Sequence, residues 1–256
     1  MIGYRLSRTG VAKHPYYISL LGIGLWSVEE LCYFLVHNPA LIDDSITCQG
    51  LVRWLAEEFH MTDTALAMER SMKLGADTGE VLLPLLRDSG YLETHEIRAF
   101  TKRLQTMAAG GASLLLKMKG DALTRNKKYR EAVAVYIQAE ENTKKGNVKA
   151  LSSILHNRGV ALMQLLSYEE AYRAFRRAAA LDDTPQRRRT CLLAAGLAKP
   201  RDLFIEEAEE IGADDAMVEE VMRTLDELAS QSAAPPVDPY KELARIRREY
   251  SDSFSS

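Results

Sequence analysis

Two windows of the sequence repeat one pattern of large and small residues around a central glycine, and these glycines stand 39 positions apart. The first window reads Leu116-x2-Lys119-Gly120-x2-Leu123, followed by Ala132-x3-Tyr136-x2-Ala139; the second reads Leu155-x2-Arg158-Gly159-x2-Leu162, followed by Ala171-x3-Phe175-x2-Ala178. A small residue on one helix allows a second helix to approach closely, and large residues fill the remaining space. The pattern therefore predicts two stacked helix hairpins, with each glycine opposite the first alanine of its window.

The two windows resemble tetratricopeptide repeats, which are helix hairpins that stack into a curved array. The resemblance predicts repeats over residues 113–146 and 148–182, then a degenerate third pair and capping helices over residues 184–230. The repeat step of 39 exceeds the usual value of about 34. We expect the surplus in the region Asn142–Val148, where it lengthens the second helix of the first pair and its turn. The resemblance also implies that Tyr136 and Phe175 fill space toward the next pair.

In such arrays the first helices line a concave groove, so the resemblance places the partner-binding residues there. The groove residues are Lys117, Asp121, Arg125, His156, Asn157, Val160, Met163, Gln164 and, from the third pair, Arg188. In members that bind peptides, an Asn two residues before the small position bonds the ligand backbone, and basic residues hold a carboxylate. Asn157 matches that Asn, and Lys117 matches one basic position. Asp121 stands where the carboxylate clamp has an amide, so the complete clamp is not expected.

The residues before the repeats predict an arm and a helical N-terminal domain over residues 26–110. Residues 1–25 favour an extended or hairpin-like arm. Helices are predicted at Ser27–His37, from about Cys48 to His60, after Asp77, and from Thr94 to the Gly110–Gly111 pair. The first two helices are expected to pack as an antiparallel hairpin. Trp26 and Trp54 are interpreted as packing residues of that hairpin, with partner contact as the alternative.

The end of the chain combines a Pro-rich linker, residues 231–239, with a predicted amphipathic helix and tail, residues 240–256. The helix would carry the apolar stripe Tyr240, Leu243, Ile246 and Tyr250 beside the basic residues Lys241, Arg245, Arg247 and Arg248. We expect it to cover part of the array or of the N-terminal domain. A homodimer that exchanges this helix between chains stays open as an alternative.

A wider resemblance rests on the run PYYISLLGIGLWSVEELCYFLVHNPALIDD, residues 15–44, and on RIRREY, residues 245–250. Both look like segments of a group of tetratricopeptide proteins from Gram-positive gut bacteria. The resemblance covers nearly the whole chain and implies a helical N-terminal half, two repeats and a terminal basic-aromatic helix. It implies no activity.

The charge balance argues against a nucleic acid partner. The chain has 33 Lys and Arg against 36 Asp and Glu, a formal net charge of −3, whereas phosphate backbones attract basic proteins. The alternative function is a DNA-binding or peptide-responsive transcription regulator whose N-terminal helix pair reads DNA. Residues 26–61 speak against it, because six acidic residues accompany a single Arg53.

Motifs for catalysis are missing from the sequence: no G-x-S-x-G, H-E-x-x-H, P-loop or G-x-G-x-x-G is present. Cys32 and Cys48 fall on apolar faces, where a buried inert thiol is usual. We therefore expect no enzyme, no cofactor and no metal. The three cysteines form no C-x-x-C pair and favour a reducing compartment. The apolar stretch Tyr16–Val36 is interrupted by Gly and Glu, so no membrane partner is expected and the predicted location is cytoplasmic.

These patterns together predict an all-α protein with a helical N-terminal domain, a short tetratricopeptide-like array and a terminal amphipathic helix. The predicted function is non-catalytic protein–protein interaction, in which the groove binds a peptide or helix of a partner. The identity of that partner is not encoded in any motif.

Overall fold

A computed structural model of the chain describes residues 9–232, with side chains to residue 230. Within this range the protein is all-α apart from one small hairpin, which confirms the predicted fold class. The elements are β1 (Tyr16–Ile18), β2 (Ile23–Leu25), α1 (Val28–His37), a 3₁₀ helix (Pro39–Leu41), α2 (Gln49–Phe59), α3 (Thr62–Lys73), α4 (Thr78–Asp88), α5 (Thr94–Ala109), α6 (Ala112–Arg125), α7 (Tyr129–Glu141), α8 (Val148–Gln164), α9 (Tyr168–Leu181), α10 (Pro185–Ala198), α11 (Arg201–Glu210) and α12 (Asp215–Ser232). They divide into two compact units, which meet in sequence between Asp182 and Asp183.

The predicted arm contains an antiparallel β-hairpin, in which Tyr16 pairs with Leu25 and Ile18 with Ile23. The segment before this hairpin is held by hydrogen bonds between its residues and two buried side chains, Glu29 and Trp54. The Glu29 carboxylate accepts hydrogen bonds from the Thr9 amide at 3.1 Å and hydroxyl at 2.8 Å. Trp54 is buried, and its indole Nε1 donates to the His14 carbonyl at 2.8 Å. Trp54 is therefore a packing residue, whereas Trp26 is 45% exposed.

Two helix starts have the capping bonds that the sequence predicts. The Ser27 hydroxyl accepts from the Glu30 amide, and Asp77 and Glu80 form a reciprocal capping box. The sequence patterns gave no prediction for α3, whose buried face consists of Thr64, Ala65 and Met68. The first two predicted helices, α1 and α2, were expected to pack together as an antiparallel hairpin. In the structure α2 packs against α3 instead, and α3 packs against α4.

The predicted domain boundary near residue 110 does not separate two cores. One cluster of buried apolar residues extends from Ala12 through the N-terminal helices to Ile154 and Ala161 in α8. Helix α6 packs on the 3₁₀ helix, and Lys119 Nζ lies 3.0 Å from Asp43 Oδ2. The first compact unit therefore includes both glycine-centred hairpins and ends at Asp182.

The hairpins α6/α7 and α8/α9 repeat one another residue by residue at the step of 39. The Ser113 hydroxyl donates to the Ala139 carbonyl, and Ser152 donates to the Ala178 carbonyl. In each tight turn one residue adopts a left-handed backbone, Lys127 at φ 58° and Leu166 at φ 59°. The turns close through equivalent bonds, from the Lys128 amide to the Leu123 carbonyl and from the Ser167 amide to the Leu162 carbonyl.

The surplus of the first repeat lies in the predicted region after Glu141, but it does not lengthen the second helix of the first pair. Helix α7 has 13 residues and α9 has 14, so the second helix of the first pair is not lengthened. The additional residues form the linker between Glu141 and Val148 and the first turn of α8, which has 17 residues where α6 has 14. The Asn147 side chain caps this longer helix by accepting from the Ala150 amide at 3.3 Å.

The second unit contains α10, α11 and α12 in its described part, over the range 184–230 in which a degenerate third pair and capping helices were predicted. Helix α10 packs against both α11 and α12. It packs tightly on α12 at Gly196, where an added Cβ would overlap the Leu225 side chain. No α-helix within residues 9–232 is long and apolar enough to cross a membrane. Residues 231 and 232, the start of the predicted linker, belong to α12. The rest of the linker and the predicted C-terminal helix lie outside the described residues, as do residues 1–8.

Candidate binding groove

Each repeat glycine is covered by the aromatic ring of its own hairpin. An added Cβ at Gly120 would lie 2.5 Å from Tyr136 Cε1, and one at Gly159 would lie 2.7 Å from Phe175 Cε1. The alanines of the second helices, Ala132 and Ala171, are fully buried. The rings therefore fill the space inside each pair, a contact that the expectation of space filling toward the next pair did not include.

The first helices α6 and α8 present two matching stripes of side chains beside these glycines. The stripe on α6 is Leu114, Met118, Asp121 and Arg125; the stripe on α8 is Ser153, Asn157, Val160 and Gln164. Residues spaced three and four apart share one helix face, so each stripe forms a continuous surface. A direct hydrogen bond between the stripes, from Asn157 Nδ2 to Asp121 Oδ1 at 2.7 Å, places the two first helices side by side. We call this surface the α6/α8 groove.

Asp121 is the polar centre of the α6/α8 groove, because three donors converge on its carboxylate. Lys117 Nζ lies 2.8 Å from Oδ2, while Asn157 Nδ2 and the Tyr136 hydroxyl each lie 2.7 Å from Oδ1. The carboxylate thereby compensates the Lys117 cation and also uses the amide of Asn157. Two groups that the family resemblance assigns to a ligand are thus bonded within the protein.

The sequence pattern predicts Tyr136 as a core residue but does not predict that its hydroxyl donates a hydrogen bond to Asp121. The ring is 1% exposed, and burial together with the Asp121 carboxylate raises the pKa of this phenol above its ordinary value. The hydroxyl therefore remains a hydrogen-bond donor at neutral pH. A signal was available in the sequence: the first window has Tyr136 with Asp121, whereas the second has Phe175 with Val160 at the equivalent positions.

The predicted groove residues of α8 divide into two groups. Asn157, Val160 and Gln164 lie on the open stripe, with Val160 37% exposed. His156 instead contacts the Phe175 ring, with ring centroids 5.2 Å apart, so it packs inside its own hairpin. Met163 is half-buried on the same side of the helix as His156.

Two further predicted residues have contrasting surroundings. Arg125 is exposed at the end of α6, and its side chain forms no ion pair with any residue from 9 to 230. Arg188 belongs to the second unit, where its guanidinium binds both carboxylate oxygens of Asp183 and the Gly212 carbonyl. Arg188 is therefore engaged within its own unit, and Arg125 is the cation that the α6/α8 groove offers to a ligand.

The helices proposed for DNA reading have an arrangement unlike a helix-turn-helix. Helix α1 ends at His37 and α2 begins at Gln49, whereas that motif joins its helices by a turn of three to four residues. Glu29, one of the acidic residues of this region, is 7% exposed and bonded to Thr9. This geometry gives the DNA-binding alternative no support.

The cysteines considered for catalysis have different environments. Cys32 is fully buried, and burial raises the pKa of its thiol to about 12. Cys48 is half-buried at the start of α2, which corrects the expectation of a buried thiol. Burial raises the pKa of Cys48, but hydrogen bonds from Tyr16 and from the Leu51 and Gly50 amides outweigh it, so the pKa lies below the usual value.

Comparison of the chain with protein-family models, with curated proteins and with solved structures found no match.

Proposed function

We propose that the protein is a non-catalytic interaction module that binds an extended peptide segment of a partner protein in the α6/α8 groove. The proposal rests mainly on one observation: two equivalent first helices lie side by side, tied by the Asn157–Asp121 hydrogen bond, with equivalent residues facing outward. Two parallel stripes of this kind offer a peptide a repeated set of contacts. The three free thiols support placing this binding in a reducing compartment, the cytoplasm.

The chemistry of the groove defines the peptide that we expect. Leu114 is 45% exposed and Val160 is 37% exposed, so each stripe offers an apolar contact. Arg125 adds a cation without an acidic partner among residues 9–230, while the Lys117 cation is compensated by Asp121. We therefore propose a ligand with apolar residues flanking one acidic side chain that reaches Arg125.

Selection from a random dodecapeptide phage library tests this proposal. We expect enriched peptides to contain an acidic residue among apolar ones, and to bind the full chain by calorimetry. Val160→Asp should weaken their binding at least tenfold, since it places a charge on the groove floor. The matched control is Ile137→Asp on α7, a second helix, because Ile137 is 41% exposed and Val160 is 37% exposed. Equal loss in both variants would contradict binding in the groove.

A second experiment tests the role of Asp121, which stands where the carboxylate clamp of tetratricopeptide repeats has an amide. The wild-type chain should bind a selected peptide equally well with a free or an amidated C-terminus, because Asp121 compensates Lys117. Asp121→Asn restores the family's amide and removes that compensating charge, so it should create a preference for the free carboxylate. Adding Lys117→Ala to Asp121→Asn should abolish the preference. A wild-type protein that already prefers the free carboxylate would show that Lys117 is available to ligands.

A further inference from the structure

Helix α12 carries an apolar stripe that its own unit covers only in part. Val221 is 1% exposed, but Met217, Val218, Met222 and Leu225 are half-buried and Leu228 is 44% exposed. The reason is length: α12 has 18 residues, whereas α10 has 14 and α11 has 10. The second half of α12 therefore has too few neighbours to bury its apolar face.

A shallow groove follows this part of α12. Its floor is formed by Phe204, Met222 and Leu225 around a cavity of about 160 Å³, with Asp226, Lys199 and Arg201 at the rim. Farther along the helix the rim continues with Glu219, Glu227 and Arg223, next to Met222. We call this surface, with Leu228 at its end, the α12 groove. Apolar floors with charged rims are typical of sites that accept an amphipathic helix.

The two helices that border the α12 groove, α11 and α12, carry more acidic than basic residues. Helices α11 and α12 each contain five acidic residues and one basic residue, Arg201 and Arg223 respectively. Two of the acidic residues are already compensated within the unit, Glu207 by Lys199 at 2.8 Å and Glu220 by Arg189 at 2.7 Å. The rim residues Glu219, Asp226 and Glu227 have no such partner among residues 9–230. The groove therefore suits a basic ligand.

The chain itself supplies a segment of this chemistry. Residues 240–250 combine the apolar stripe Tyr240, Leu243, Ile246 and Tyr250 with the basic residues Lys241, Arg245, Arg247 and Arg248. The seven residues 233–239 that follow α12 can span roughly 22 Å at ~3.1 Å per residue. The part of α12 from Glu219 to its end at Ser232 is about 20 Å long, at ~1.5 Å per residue. The linker is therefore long enough to return the segment to any point of the groove.

We propose that residues 240–250 dock in the α12 groove of the same chain. Their apolar stripe covers Met222, Leu225 and Leu228, and their basic residues lie beside Glu219, Asp226 and Glu227. Residues 240–250 are favoured over a helix of another protein because they are tethered to the groove. A short linker gives a tethered segment an effective concentration in the millimolar range at its binding site. The inference does not depend on the peptide-binding function proposed above.

Zero-length carbodiimide coupling of the full chain tests the proposal directly. Lys241 is the only lysine after Lys199, so the carboxylate that it joins reports where the segment docks. Mass spectrometry of a mixture of unlabelled and ¹⁵N-labelled chains separates coupling within a chain from coupling between chains. We expect Lys241 to be joined within the chain to Glu219, Asp226 or Glu227.

Variants show whether this coupling needs docking or only proximity. Ile246→Asp in the segment and Leu228→Asp in the groove should each reduce the yield at least tenfold. Their matched controls are Ser253→Asp, outside the apolar stripe, and Leu166→Asp, a 69% exposed leucine in the first unit; both should leave the yield unchanged. Coupling of Lys241 to residues 9–182, coupling only between chains, no coupling, or a yield unaffected by Ile246→Asp would each overturn the proposal.

Discussion

The hairpins α6/α7 and α8/α9 have equivalent turns and equivalent glycine–aromatic contacts, yet they fill equivalent positions with different chemistry. The first hairpin places Tyr136 next to Asp121, and the second places Phe175 where the residue equivalent to Asp121 is Val160. A buried hydroxyl needs an acceptor, and a buried phenyl ring does not. The comparison teaches that side-chain size fixes the shape of the hairpin, while polarity is set separately by the pairing of one core residue with one groove residue.

The residue directly before each glycine, by contrast, has the same role in both hairpins. Lys119 pairs with Asp43 in the N-terminal region, and Arg158 pairs with Glu140 in the preceding hairpin. Both cations thus reach back to the element on which their hairpin stacks. For α6/α7 that element is the loop after the 3₁₀ helix, so the N-terminal helices occupy the place of a preceding repeat.

Removal of the aromatic rings should have the largest effect on the two hairpins. Tyr136→Ala and Phe175→Ala should each lower the free energy of unfolding by about 3–5 kcal/mol, because each leaves a cavity over a glycine. Urea unfolding followed by circular dichroism measures both. Tyr17→Ala is the control, since that ring is 64% exposed and its loss should cost under ~0.5 kcal/mol. A loss below ~1 kcal/mol in one hairpin would show that the two are not equivalent.

An added methyl group at each glycine should have the next largest effect. Gly120→Ala and Gly159→Ala should each destabilise the protein by about 1–3 kcal/mol through overpacking. Helix propensity alone predicts the opposite sign, a gain of about 1 kcal/mol for alanine, so the sign of the change decides between the two effects. Combining each substitution with Tyr136→Leu or Phe175→Leu should cost less than the sum of the single changes. Strict additivity would mean that ring and glycine do not touch.

Exchange of the polar pair tests whether polarity is set separately from shape. Tyr136→Phe should cost about 1–2 kcal/mol, because the hydroxyl bond to Asp121 is lost. Phe175→Tyr should also be destabilising, since Val160 offers no acceptor. The double variant Phe175→Tyr with Val160→Asp recreates the first hairpin in the second and should recover most of that loss. If Val160→Asp does not help Phe175→Tyr, the pairing depends on more than these two positions.

The ion pairs before the glycines should have the smallest effect. Glu140→Gln should cost about 1 kcal/mol, because this carboxylate is 18% exposed and binds both Arg158 and Arg177. Asp43→Asn should cost only a few tenths of a kcal/mol, since Asp43 is 40% exposed and has the single cation Lys119. Urea unfolding at 0.1 M and 1 M NaCl should show both effects shrinking with salt. An equal cost at both positions would contradict the difference in burial.

Helices with a local signal in the sequence were predictable. α1 and α4 begin at Ser27 and Asp77 with capping bonds to the residue three positions later, and α5 ends at the predicted Gly110. Helix α3 was missed because Met61 provides no side-chain cap and because its buried face includes a threonine. Thr64 can be buried only because its hydroxyl donates to Asp88 Oδ2 at 2.6 Å, a partner 24 residues away.

The prediction of the groove residues was also limited by partners that lie far away in the sequence. The resemblance to tetratricopeptide repeats placed Asn157, Val160, Gln164 and Arg125 on an outward face, at fixed positions relative to the two glycines. It could not place the amide of Asn157 on Asp121, the ring of His156 on Phe175, or Arg188 on Asp183. Those partners depend on which helices become neighbours and on the distance between them.

The sequence by itself determined that this chain is all-α and that two hairpins repeat at a step of 39, since small and large residues at helical spacing encode both locally. The tertiary structure decided that the first core continues from Ala12 to Ala161, and that the Lys117 cation and the Asn157 amide bond with Asp121 inside the protein. The physical reason is range. Helix periodicity is fixed within a few residues, whereas burial and polar pairing are fixed only when distant helices pack together.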